Sequence, residues 1–138
     1  MRLPVLTVCL AFTACSSALP CTSCPPVDGT YAVSWVDGGN ESCPGPRVPT
    51  WKLTEKAPQV TTTLNDIPLG GTLYDSYDLL LTGGEVGLTY RLRALVIPEG
   101  TSTDAGVRLQ GTLTSRVTPS GGEACESVET FTAQRTSR

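Results

Sequence analysis

The sequence predicts an all-β fold, an antiparallel meander of about seven strands that closes into a barrel or forms a sandwich of two sheets. Apolar and polar residues alternate with period two along most of the chain after residue 28, a pattern typical of strands with one buried face. The 14 glycines and 11 prolines divide the chain into short segments, and no segment after the first 28 residues has the spacing of an amphipathic helix.

The first three predicted strands are short and are separated by turn-forming residues. Residues 29–36 alternate so that Tyr31, Val33 and Trp35 share one face. A loop rich in glycine and proline follows. The second and third strands are then indicated by two alternating sets, which are Trp51 with Leu53 and Val60 with Thr62 and Leu64.

The other four predicted strands are longer, and they cover residues 71–82, 87–97, 107–117 and 125–135. The glycine pair in residues 83–85 predicts the turn between the first two of them. In the last strand Val128 and Phe131 are out of step by one residue, which predicts a β-bulge. The residues that we expect to face inward are Tyr31, Val33, Trp35, Leu73, Leu79, Leu81, Leu88, Leu92, Val96, Leu109, Leu113 and Phe131.

The first fifteen residues have the order of an export signal. Arg2 precedes an apolar run over residues 3–12 that is too short to span a bilayer as a helix, and two small residues then lead into Cys15. Residues 12–15 (FTAC) resemble the lipobox of bacterial lipoproteins, in which cleavage before the cysteine leaves that residue to carry lipid. Members of that family usually have leucine where this chain has Phe12.

The lipobox resemblance implies a division of the chain into three parts. Residues 1–14 would be the signal peptide, residues 15–28 a lipid anchor and a tether rich in serine and proline, and residues 29–138 a single β domain. Lipid on Cys15 would hold the protein in the cell envelope, and Ser16 beside it implies the outer membrane of a diderm bacterium. The alternative is an ordinary secretory signal cleaved after Ala18, in which case Cys15 is discarded.

Four cysteines lie beyond the proposed lipid site, and an even number in an exported chain predicts two disulfides with three possible pairings. We favour Cys43–Cys125, which would close a loop of about 80 residues and stabilise the fold by roughly 4 kcal/mol. Cys21 and Cys24 would then close a small ring. Their C-x-x-C spacing also occurs in thiol oxidoreductases, but two prolines follow it here and no βαβ context surrounds it.

Composition argues against several classes of function. The chain has no histidine, the commonest general base and zinc ligand, and its net charge of −3 lacks the basic excess of a nucleic-acid-binding protein. We therefore expect no enzymatic activity, cofactor, metal or nucleic-acid partner. The expected function is that of a membrane-anchored extracytoplasmic lipoprotein that acts as a binding or interaction module. Its partners would be the bilayer, through acylated Cys15, and a protein or carbohydrate.

One short segment carries the side chains best suited to binding. Residues 73–78 (LYDSYD) contain two phenols and two carboxylates. Strand alternation would place Tyr74, Ser76 and Asp78 on one face, where they could bind a sugar or a protein by stacking and hydrogen bonding. The alternative is that these residues only form the polar face of a sheet.

A second resemblance concerns both ends of the predicted β domain. Residues 29–31 (GTY) resemble the Gly-x-Trp sequence that opens lipocalins and related calycin barrels, in which a late arginine packs over the aromatic ring. Arg135 is in the corresponding late position. The resemblance implies an alternative function, the transport of a small apolar ligand in a cavity inside a closed barrel.

Overall fold

The computed structural model describes residues 18–36, 43, 45–100 and 106–138. Across these residues the chain forms eight antiparallel strands in sequence order, and the last strand pairs with the first to close a barrel. The strands are β1 (Gly29–Trp35), β2 (Thr50–Lys56), β3 (Gln59–Leu64), β4 (Ile67–Leu73), β5 (Asp78–Glu85), β6 (Leu88–Glu99), β7 (Gly106–Val117) and β8 (Cys125–Ser137). The predicted all-β antiparallel class is confirmed, and the architecture is the barrel.

The interior of the barrel is occupied by one contiguous cluster of buried side chains. Every residue predicted to face inward is buried or packs against this cluster. Three aromatic rings meet edge to face within it, and the centroid of Phe131 lies 4.6 Å from that of Trp51 and 5.7 Å from that of Trp35. The alternation of apolar residues therefore identified the buried face correctly.

The predicted strand over residues 71–82 is in fact the end of one strand and the beginning of the next. A turn interrupts it, closed by a 2.9 Å hydrogen bond from the amide of Tyr77 to the carbonyl of Tyr74. Tyr77 has a positive φ of 65° and is 37% exposed. Tyrosine is not a residue that signals a left-handed turn, so the alternation of its neighbours concealed the break.

Glycines that the sequence predicted as turn residues lie inside strands. Residues 83–85 belong to β5, and the turn that follows them is at residues 86–87. A side chain at Gly71 would clash with the backbone of Leu80, and one at Gly111 would clash with the backbone of β6. Glycine at these positions permits the close strand approach that bends the sheet into a barrel.

The bulge predicted between Val128 and Phe131 is absent from that part of β8. This strand pairs with β7 in unbroken register from Cys125 to Gln134, and Val128 faces outward with 54% exposure. The residues that face inward are Ser127, Glu129, Phe131 and Ala133. The prediction was wrong because it assumed that the valine was buried, whereas the strand buries a serine and a glutamate. The register shift lies between Thr30 and Tyr31, where β1 pairs with β8.

The two ends of the barrel have different covers. We call the end where β8 finishes the Arg135 end, and it is covered by residues 19–28. The opposite end, the Glu129 end, is covered by residues 45–49 of the loop between β1 and β2. Each end has one disulfide, which is Cys21–Cys24 at the Arg135 end and Cys43–Cys125 at the Glu129 end, so both favoured pairings are confirmed.

Candidate functional site

The segment before β1 was expected to be a tether, but much of it packs on the Arg135 end. The carbonyl of Leu19 accepts a hydrogen bond from the amide of Asp75, and the amide of Cys21 donates one to the carbonyl of Leu73, each at 2.8 Å. Cys21 is only 7% exposed, and Val27 is completely buried. The folded unit therefore includes residues that the predicted boundary at residue 29 assigned to the tether.

Arg135 fastens this segment to the barrel. Its Nη1 donates hydrogen bonds to the carbonyl oxygens of Pro26 at 2.8 Å and Asp28 at 3.3 Å. Both acceptors are backbone atoms that directly precede β1. A guanidinium that bridges two carbonyls of one segment restricts both the position and the direction of that segment.

Tyr31 lies beside Arg135 and completes the polar network of this end. Its hydroxyl donates to the carbonyl of Val27 at 2.7 Å, and the amide of Val27 donates to Oε2 of Glu55 at 2.8 Å. Burial of Tyr31, which is 0% exposed, raises the pKa of its phenol to about 12, although the charge of Arg135 and its hydrogen bond to the phenol oppose the shift.

A groove lies on the outer wall of the barrel, next to Ala18. It has a volume of about 290 Å³, and the residues that line it are Ala18, Tyr74, Asp78, Leu80, Arg91 and Arg93. We call it the Arg91 groove. Two of the three predicted binding residues, Tyr74 and Asp78, therefore lie in one groove. The third, Ser76, supports it from the turn by donating a hydrogen bond to Oδ2 of Asp78 at 3.0 Å.

The predicted binding residues meet through a turn, not through strand alternation as expected. Tyr74 and Asp78 stand on either side of the turn between β4 and β5, and the amide of Tyr74 donates to the carbonyl of Asp78 at 2.8 Å. The pairing of β5 with β6 then brings Leu80 opposite Arg93. The sequence did not associate Arg91 and Arg93 with this turn, because the register between the two strands is not a local property.

The charges of the groove are accessible to solvent. Nε of Arg93 lies 3.9 Å from Oδ1 of Asp78, and both side chains are exposed, so this ion pair holds neither group strongly. Arg91 lies on the same face of β6, two residues before Arg93. The groove thus combines a phenol, a carboxylate and two guanidinium groups around the apolar side chain of Leu80.

A second polar cluster, which the sequence did not predict, lies inside the Glu129 end. Glu129 is 2% exposed, and its Oε2 accepts a 2.9 Å hydrogen bond from Nη2 of Arg47. Ser115 and Ser127 are buried beside it, and among the described residues neither hydroxyl has a hydrogen-bond partner. A Cβ atom added to Gly45 would lie 2.7 Å from Oγ of Ser127, so the loop backbone directly covers the cluster.

Within the described ranges no three histidine, cysteine or acidic residues come together as metal ligands. The same part of the chain contains no helix long and apolar enough to cross a membrane. The predicted signal peptide and the predicted lipidation site, Cys15, lie outside the described residues.

The chain was compared with protein-family models, curated proteins and solved structures. None of the three comparisons finds a significant match.

Proposed function

We propose that this protein is an exported, lipid-anchored binding module without enzymatic activity, and that the Arg91 groove is its binding surface. The anchor would be Cys15, in the outer membrane of a diderm bacterium. The observation that carries the proposal is that Ala18 lines the groove. Cys15 is only three residues from Ala18, so the groove would lie within about 10 Å of the lipidated residue.

The chemistry of the groove supports binding. Tyr74 offers a ring for stacking, Asp78 accepts hydrogen bonds, and the two arginines suit carboxylate or phosphate groups. Catalysis has less support in this chain. The sequence contains no histidine, and the buried carboxylate of Glu129 is paired with Arg47 beneath the loop.

The anchor is tested by the substitution Cys15→Ser in cells grown with labelled fatty acid. We expect the variant to lose the label and to move from the detergent phase to the aqueous phase of a detergent extraction. Cys9→Ser is the matched control, because Cys9 lies in the apolar run that is removed, and this variant should keep the label. Retention of the label by Cys15→Ser, or a wild-type protein in the aqueous phase, would contradict the anchor.

The alternative function is a calycin-like carrier of a small apolar ligand. The closed meander barrel and the proximity of Arg135 to Tyr31 favour it. The cluster of side chains that occupies the interior favours the binding module instead, because a carrier needs an apolar cavity of several hundred cubic ångströms. Titration with a fluorescent fatty acid distinguishes the two. Saturable binding that Leu109→Trp abolishes would support the carrier, and the absence of saturable binding would contradict it.

A further inference from the structure

The position of residues 18–21 determines which wall of the barrel lies near an anchored Cys15. Two backbone hydrogen bonds, at Leu19 and Cys21, hold this segment to the turn between β4 and β5. Cys15 and Ala18 are three positions apart in the sequence, so the chain can separate them by at most about 10 Å, less than the length of one barrel strand. This distance is too short for a long spacer.

We propose that the part of the β5–β6 wall nearest the Arg135 end, around the Arg91 groove, lies against the bilayer, and that Arg91 and Arg93 bind anionic lipid headgroups there. This inference rests on the lipid anchor proposed above and names the ligand class of the same groove. The rim of the barrel at the Glu129 end would then face away from the membrane.

The side chains around the groove suit a membrane interface. Leu19, Tyr77 and Leu95 are exposed hydrophobic residues, with exposures of 63%, 37% and 46%. Leu95 lies opposite Asp78 in the β5–β6 ladder, and the amide of the next residue, Val96, donates to the carbonyl of Tyr77. Leucine and tyrosine side chains that border arginines are typical of surfaces that enter the headgroup region.

The lining of the Arg91 groove differs in charge from the whole chain. The groove has two arginines and one carboxylate, whereas the complete sequence has a net charge of −3. Asp75 in the adjoining turn is a second nearby carboxylate, and it is exposed. Toward the Glu129 end, a neighbouring groove is lined by Arg91, Arg116 and the carboxylate of Glu126. Phosphate groups of lipids would meet guanidinium groups directly at this wall.

Photo-crosslinking tests the orientation. The full lipidated chain, with a photoreactive amino acid in place of Leu95 or Val86, is reconstituted in phosphatidylcholine vesicles that contain phosphatidylglycerol. Both side chains are exposed, so neither change should disturb folding. Val86 lies in the turn after β5, at roughly 25 Å from Leu95 along the strands. We expect lipid adducts at Leu95 and few or none at Val86.

Charge reversal tests the headgroup contact. Arg91→Glu with Arg93→Glu should reduce the lipid adducts at Leu95 by about tenfold or more, because each arginine near an anionic surface contributes roughly a fivefold gain in binding. Lys52→Glu with Lys56→Glu is the matched control. It makes the same change of charge on β2, four strands away around the ring, and should leave the adducts unchanged.

The outcomes of these two experiments distinguish a wrong orientation or a wrong headgroup contact from a wrong lipid anchor. Equal adducts at both positions, or adducts at Val86 alone, would overturn the orientation, and unchanged adducts after reversal of Arg91 and Arg93 would overturn headgroup binding. In those cases a chain that keeps its fatty-acid label still supports the anchor. A chain that carries no lipid and does not associate with the vesicles would overturn the anchor and this inference together.

Discussion

The two ends of the barrel bury polar groups in different ways. At the Arg135 end, the buried donors and acceptors are matched, since Arg135 and Tyr31 donate to backbone carbonyls of the covering segment. At the Glu129 end, a buried carboxylate depends on one partly exposed arginine, and two buried hydroxyls have no partner among the described residues.

This difference predicts which of the two covers the fold can lose with the smaller decrease in the free energy of unfolding. The bonds of Tyr31 and of the partly exposed Arg135 to backbone carbonyls each contribute modestly, whereas Glu129 is almost completely buried, and a buried charge that loses its partner is strongly destabilising. The Glu129 end should therefore be the more sensitive one. The disulfide Cys43–Cys125 ties its covering loop to the start of β8, which is consistent with that dependence.

The largest expected effect on stability is the removal of a disulfide, and its size should differ between the two ends. Replacing Cys43 and Cys125 by serine should lower the free energy of unfolding by about 4 kcal/mol, and replacing Cys21 and Cys24 should lower it by about 2 kcal/mol. The bonds span 82 and 3 residues, and a longer closed loop restricts the unfolded chain more. Urea denaturation of both double variants measures the difference. Equal losses would show that loop closure does not distinguish the two ends.

A smaller effect is expected from the ion pair at the Glu129 end. Arg47→Ala should destabilise the protein by about 2–3 kcal/mol, because it leaves the Glu129 carboxylate buried without this partner. Adding Glu129→Gln should restore most of the loss. The control is Arg138→Ala, which removes an exposed ion pair with Asp28 at the Arg135 end and should cost less than about 1 kcal/mol. If Glu129→Gln restores nothing, the carboxylate is not the source of the sensitivity.

The smallest expected effect concerns the phenol at the Arg135 end and depends on pH. Because the pKa of Tyr31 is raised from 10.0 to about 12, its protonated form stabilises the fold fully below pH 10, and this contribution is lost as the pH rises toward 12. The loss should reach about 2 kcal/mol. Tyr31→Phe should lack this alkaline decrease, while Tyr77→Phe, an exposed tyrosine, should retain it. Unfolding free energies at pH 8 and pH 11.5 test this, and identical profiles for wild type and Tyr31→Phe would contradict it.

Much of the fold was predictable because strand alternation is a local property. Residues two apart on a strand face the same way, so the series from Leu88 to Val96 showed its buried face without any knowledge of its neighbours. The turn at Tyr77 and the glycines inside β4 and β5 were not predictable in the same way. Their backbone conformations are imposed by how closely adjacent strands approach, as at Gly71.

The candidate site was predictable only in part. Tyr74, Ser76 and Asp78 are neighbours in the sequence, so their grouping was visible. The arginines that complete the groove come from β6 and reach it through the strand register. Glu129 had no sequence signal of burial, because an acidic residue is normally expected at the surface.

The sequence by itself determined the all-β class and the buried faces of most strands, since these follow from alternation and turn residues. It only favoured one of three disulfide pairings, and the structure has that pairing. Only the tertiary structure decided that the sheet closes, because closure depends on the pairing of β1 with β8 across nearly the whole domain. It also decided that residues 19–28 are part of the fold and that Glu129 is buried. Both depend on whether a segment that is distant in the sequence covers an open end of the barrel, and the residues near each position do not indicate that contact.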